Sequence, residues 1–258
     1  MMTSDFKDAV RMTPPDGALP DGVLIAALDA DPMLPLANTL AAQGRATTVF
    51  ACESPELLAG TSVVFHPWEA NTRATTFRSV EALQGAVAPP LQLVVSMAPR
   101  EARCGITTVD HSAASWQAIT GDTLLRTTHL LQALGPQLRR ARASVVFVGV
   151  SISLVGAAQL APLVTLQESQ RGLMKSLARQ WSADGVTVNW IALHAPTLWP
   201  ELARIPLPSR AEAIPLALGR RPNAADDLAG ALDYFASEAG RAVTGATLTL
   251  DGGEWLLP

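Results

Sequence analysis

Tyrosine occurs once in this chain, as Tyr234, and lysine twice, as Lys7 and Lys175, against 17 arginines. Any chemistry that needs a tyrosine and a lysine close together in sequence is therefore excluded, whatever the alignment. No two glycines are separated by a single intervening residue, so a G-x-G loop that lets backbone amides close on a phosphate is absent. The two cysteines, Cys52 and Cys104, have no C-x-x-C spacing; they are expected to be buried free thiols rather than a disulfide or metal framework. A net charge of −4 with 16% charged residues advertises no basic surface for nucleic acid or an anionic membrane. No apolar run approaches the ~18 residues of a membrane-spanning helix. The start, MMTSDFKDAV, lacks the basic-then-apolar pattern of a secretory signal. Those two absences make the cytoplasm the expected compartment.

What the chain does have is apolar content, 48% over 258 residues, enough for one α/β domain with a large core. Short β-rich runs alternate with longer helical patterns after a polar, proline-bearing leader at 1–20. The expected strands are Val23–Ala27, Thr47–Phe50, Ser62–Phe65, Leu91–Ser96, Ser144–Val150, Thr187–Ala192 and Ala246–Leu250. Several are continuous Val/Ile/Leu runs, as central strands of a parallel sheet covered on both faces require. Between them, Leu124, Leu131, Leu134 and Leu138 mark one helical stripe, and Leu163, Leu166, Gln170, Leu173, Leu177 and Trp181 another. Strand–helix alternation with right-handed crossovers gives a doubly wound, parallel, seven-stranded Rossmann-like sheet in one domain, 21–258. The proline-rich stretch 196–222 is expected to be an irregular flap.

Three segments resemble the short-chain dehydrogenase/reductase family: LAAQGRATTVF (40–50), GLMKSLARQWSADGVTVNWIA (172–192) and PNAADDLAGALDYFASEAGRAVTGATLTLDGG (222–253). They correspond to scaffold parts of that family. Its chemical parts are replaced. The resemblance places the family's TGxxxGxG cofactor loop on Ala26 to Met33, AALDADPM, with Ala27, Asp31 and Met33 where the glycines belong. Asp31 and Pro32 read instead as an N-cap and first helical residue, and a carboxylate there would repel a pyrophosphate. The NNAG motif becomes Ser96-Met97-Ala98-Pro99, and the helix Asn falls on Thr123. The catalytic Tyr and Lys fall on Leu163 and Gln167. The catalytic Ser falls on Val150, with Ser151 and Ser153 just beyond, and the PG motif becomes Leu193-His194. Leu163 has no proton to transfer, and uncharged Gln167 cannot lower a neighbour's pKa. General acid–base catalysis typically supplies ~10²–10⁴-fold, and here it is lost together with the cofactor loop.

Other groups invite chemistry less strongly. His194, after a strand end, could be sketched into a triad with Ser151 and Asp110 or Asp122, but no G-x-S-x-G elbow is present and a structural histidine is the expected outcome. His66, near Trp68, Cys52 and Glu53, lacks metal-ligand spacing and reads as a packed loop. Glu168 and Arg171 form an i, i+3 pair, and Arg139, Arg140 and Arg142 suit a helix C-terminus.

These readings imply no catalytic, cofactor-binding or metal residues of the chain's own. The implied role is a non-catalytic subunit paired with an intact short-chain dehydrogenase paralogue, acting on a hydroxyacyl or ketoacyl thioester. The family assembles through its long central helices and its last helix and strand. On that resemblance Leu124, Leu131, Leu173, Trp181, Tyr234, Leu248 and Trp255, followed by Leu256 and Leu257, are the interface candidates. Two alternatives remain: a ligand-sensing module using the old cleft, and a divergent oxidoreductase or hydrolase with altered chemistry.

Overall fold

The computed structural model describes residues 22–53, 61–86, 92–205 and 216–256; the leader at 1–20 lies outside them. Seven strands form one sheet: β1 Gly22–Ala27, β2 Ala46–Ala51, β3 Val64–Pro67, β4 Gln92–Ser96, β5 Ser144–Val150, β6 Thr187–Leu193 and β7 Thr247–Leu250. All are parallel, in the order β3-β2-β1-β4-β5-β6-β7. The central strands β1, β4, β5 and β6 are buried along their whole length, which is why they read as unbroken apolar runs.

Helices cover both faces: α1 Leu34–Ala42, α2 Arg73–Ala86, α3 Ala113–Gln117, α4 Thr123–Ala141, α5 Ala161–Trp181, α6 Ala195–Leu198 and α7 Asp227–Ala236. Side chains alternate across the sheet with period two. Val23 and Ile25 of β1 face a core with Leu36 and Leu40 of α1 and Leu228, Leu232 and Phe235 of α7. Leu24 faces the opposite core, built from Val80 and Leu83 of α2, Leu130, Leu134 and Leu138 of α4, and Met174, Leu177 and Trp181 of α5. The first turns of α5 belong to the former core through Leu163 and Leu166, so its apolar stripe serves both layers.

Side chains approach the backbone closely at Gly149 in β5. A Cβ there would stand 2.3 Å from the Trp190 ring and 3.0 Å from the Gln167 side chain, so only glycine lets Trp190 stack on Phe147 at 5.9 Å. At the amino ends of the strands, buried Arg45 donates to Asp233 Oδ1 (2.8 Å) and Gln92 Oε1 (2.8 Å). Gln92 in turn donates to the Leu232 carbonyl at 2.8 Å, which ties β2, β4 and α7 together.

Part of the expected flap is ordered as short helical turns. Pro196 lies in the first turn of α6 and Pro200 opens a 3-10 turn at Pro200–Arg204. Proline's fixed φ and missing N–H suit a helix start, so these prolines begin structure rather than prevent it. Residues 206–215 of that stretch lie outside the described residues.

Candidate ligand crevice

Strand order reverses between β1 and β4, and in a doubly wound sheet this opens a crevice beyond the carboxyl ends of the strands. The segment leaving β1 carries Asp29 and Asp31. The segment leaving β4 enters a 3-10 turn at Arg100–Arg103, where side chains three residues apart point the same way. Arg100 and Arg103 therefore both reach across to the β1 loop.

The capping assignment of Asp31 and Pro32 is corrected here. Asp31 begins a 3-10 turn, Asp31–Met33, whose N-cap is Ala30 with no side-chain cap, and α1 starts only at Leu34. The Asp31 carboxylate turns outward to Arg100 Nη2 at 3.2 Å, because a guanidinium offers it a stronger partner than a backbone amide. Met33, in the last glycine position, is wholly buried under α1, filling space that the family's glycine leaves for close helix–strand packing.

Asp29 is the hub of the crevice. Its carboxylate accepts from Arg100 Nε (3.0 Å) and Nη2 (3.2 Å), from Arg103 Nη2 (2.9 Å), and from the Asp31 amide (3.3 Å). Burial alone would raise the Asp29 pKa, but the two guanidiniums outweigh it and hold the carboxyl below its usual value. Arg103, only 3% exposed, also donates to Glu201 Oε1 at 2.8 Å, and its guanidinium lies over the Trp199 ring, 5.0 Å from the centroid. This network stands at the mouth of a cavity of about 840 Å³ between the ends of β1, β4 and β6. Charged groups line its rim, and Pro32, Pro35, Leu198 and Ile205 contribute apolar wall.

The remaining family positions lie deeper. Leu163 is wholly buried in the core. Gln167, 1% exposed, accepts the Val150 amide at 3.0 Å, so its carbonyl is tied to the end of β5. Thr123 donates to the Ala118 carbonyl at 3.3 Å across a π-helical turn, Ala118–Asp122. The hydroxyls of Ser151 and Ser153 are buried with no hydrogen-bond partner among the described residues.

The sketched triad is not assembled. Asp110 bonds Thr107, Asp122 accepts from Gln117 at 3.1 Å, and Ser151 does not bond His194. His194 Nδ1 instead meets Thr197 Oγ1 at 2.9 Å, and that hydroxyl donates to the Pro222 carbonyl at 3.0 Å; Nδ1 therefore carries the proton. Its Nε2 faces Glu254 Oε2 at 4.0 Å. His194 pins the β6–α6 corner to the tail.

His66 sits in β3 with Nδ1 buried and unpartnered among the described residues. Trp68 beside it stacks on Phe50 at 5.3 Å and donates to Thr76 at 3.3 Å, a packed arrangement. No group of three His, Cys, Asp or Glu side chains able to hold a metal occurs among the described residues. The burial expected of Cys52 and Cys104 is corrected: both are exposed, because they lie just past a strand end and a 3-10 turn, and Cys104 lines the cavity. Glu168 and Arg171 pair as expected, at 3.1 Å from Nε to Oε2. Arg139 faces Asp184 at 3.8 Å, and Arg142 ends α4 in the left-handed region at φ 50°.

The interface candidates divide. Leu131 and Trp181 are buried in the chain's own second core, Trp181 against Gly135, so they are not available to a partner. Leu124, Leu173 and Trp255 are partly buried against the two cores. Tyr234 (45%), Leu248 (37%) and Leu256 (83%) are exposed on α7, β7 and the tail. Leu257 lies outside the described residues.

Sequence reasoning missed Asp29, Arg100, Arg103 and Glu201. The available signal was P-R-E-A-R, separated by two residues from the end of β4, two arginines three apart facing two aspartates across the crevice.

A parallel seven-stranded sheet with its crevice at the switch point defines a doubly wound, Rossmann-like protein. The model of a family described as enoyl-(acyl carrier protein) reductase matches residues 56–254, and the chain belongs to the short-chain dehydrogenase/reductase family. It is 32% identical over 149 residues to L-fucose dehydrogenase of Bos taurus, covering 55% of this chain and 54% of that protein. It is 28% identical over 149 residues to 2-dehydro-3-deoxy-D-gluconate 5-dehydrogenase of Bacillus subtilis, covering 57% and 58%. The chain thus matches a little over half the length of these curated relatives. Among solved structures, a short-chain oxidoreductase from Burkholderia thailandensis has the same fold, with TM-score 0.73 and 23% identity over 92% of this chain and 93% of that one. No helix among the described residues is long and apolar enough to cross a membrane.

Proposed function

We propose that this chain is a non-catalytic short-chain dehydrogenase subunit that supports an intact, paralogous NAD(P)-dependent oxidoreductase. One observation carries the reading: the Asp29–Arg100–Arg103–Glu201 network stands where the family's loop would receive a pyrophosphate. Two carboxylates now face that position, and the arginines that neutralise them are already paired. A dinucleotide would have to break buried ion pairs to enter, at a cost of several kcal/mol. Leu163 and Gln167 add that no proton donor with a charged neighbour stands at the catalytic positions.

The residues retained are those of the scaffold, and Tyr234, Leu248 and Leu256 leave apolar surface on the last helix, last strand and tail. A paralogue sharing this fold is the partner such surfaces suit. Hydroxyacyl or ketoacyl thioesters are the substrate class assigned to that partner. Co-expression with the short-chain dehydrogenase encoded nearest to it is the test. The expected result is a stable complex whose turnover depends on the partner's tyrosine alone. A chain that stays a homo-oligomer in the presence of that paralogue, or turns over NAD(P)H by itself, would refute the reading.

A further inference from the structure

We draw no further inference here: the strongest candidate, the exposed stripe of small residues Ser169, Gly172 and Ser176 on the outer face of α5, is an unpartnered helix face and nothing in the structure shows what covers it.

Discussion

Truncating Arg103 probes the crevice most sharply. Its side chain is 3% exposed and meets Asp29 (2.9 Å), Glu201 (2.8 Å) and the Trp199 ring (5.0 Å). Removing one partner from a buried ion pair typically costs ~3–5 kcal/mol, because the other charge is left unpaired. Here two facts reduce that figure. Asp29 keeps Arg100, and Glu201 is 44% exposed, so water recovers its charge. Lost packing on Trp199 adds back about 0.5–1 kcal/mol. Arg103→Ala should therefore destabilise by about 2–3 kcal/mol, which for a domain of this size lowers the melting temperature by roughly 5–10 °C. Denaturant melts and calorimetry read the change directly. The Asp29→Asn/Arg103→Met double variant should recover part of the loss, since both charges leave together. A loss below about 0.5 kcal/mol in Arg103→Ala, or double-variant losses that simply add, would refute the claim that these groups form one coupled network.

Gly149→Ala would push a Cβ to 2.3 Å from Trp190 and should destabilise by about 1–3 kcal/mol through overpacking, measured as a lower denaturation midpoint. Restoring the family pair as Leu163→Tyr/Gln167→Lys should yield no NADH-dependent reduction in a steady-state assay, the outcome required by the proposed closure of the crevice by the Asp29–Arg100–Arg103 network. Arg220 and the Asn223 amide hold the Asp227 carboxyl down at about 2. A depressed carboxylate contributes stability above its unfolded value of about 4, and that contribution disappears as pH falls towards 2. Thermal melts of the parent and of Asp227→Asn should thus differ at neutral pH and converge near pH 2.

The sheet was readable because its central strands are buried on both faces, so that apolar runs such as VLIAA and SVVFVGV coincide with β1 and β5 almost residue for residue. Edge strand β3 was placed two residues early, since its half-exposed residues carry less of that signal. The absence of a neighbouring tyrosine–lysine pair was readable by counting one tyrosine. The rebuilt crevice was not, because Arg100 and Asp29 lie 71 residues apart and only the β1–β4 neighbourhood brings them together. Asp31 looked like a cap because local spacing cannot register a stronger distant partner. Helical periodicity likewise marks Leu131 and Trp181 as apolar but cannot say whether the chain's own core or another subunit covers them. The cysteines misled for a related reason: residue type favours burial, while their positions past element ends expose them.

Titration of the purified chain with NADH and NADPH, followed by quenching of tryptophan fluorescence, tests the central claim most directly. Trp199 lies under Arg103 at the crevice, where a dinucleotide in the family's pose would disturb it. The expected result is no saturable quenching by either cofactor up to millimolar concentration. Saturable quenching at micromolar NADH or NADPH, abolished by added oxidised cofactor, would contradict it.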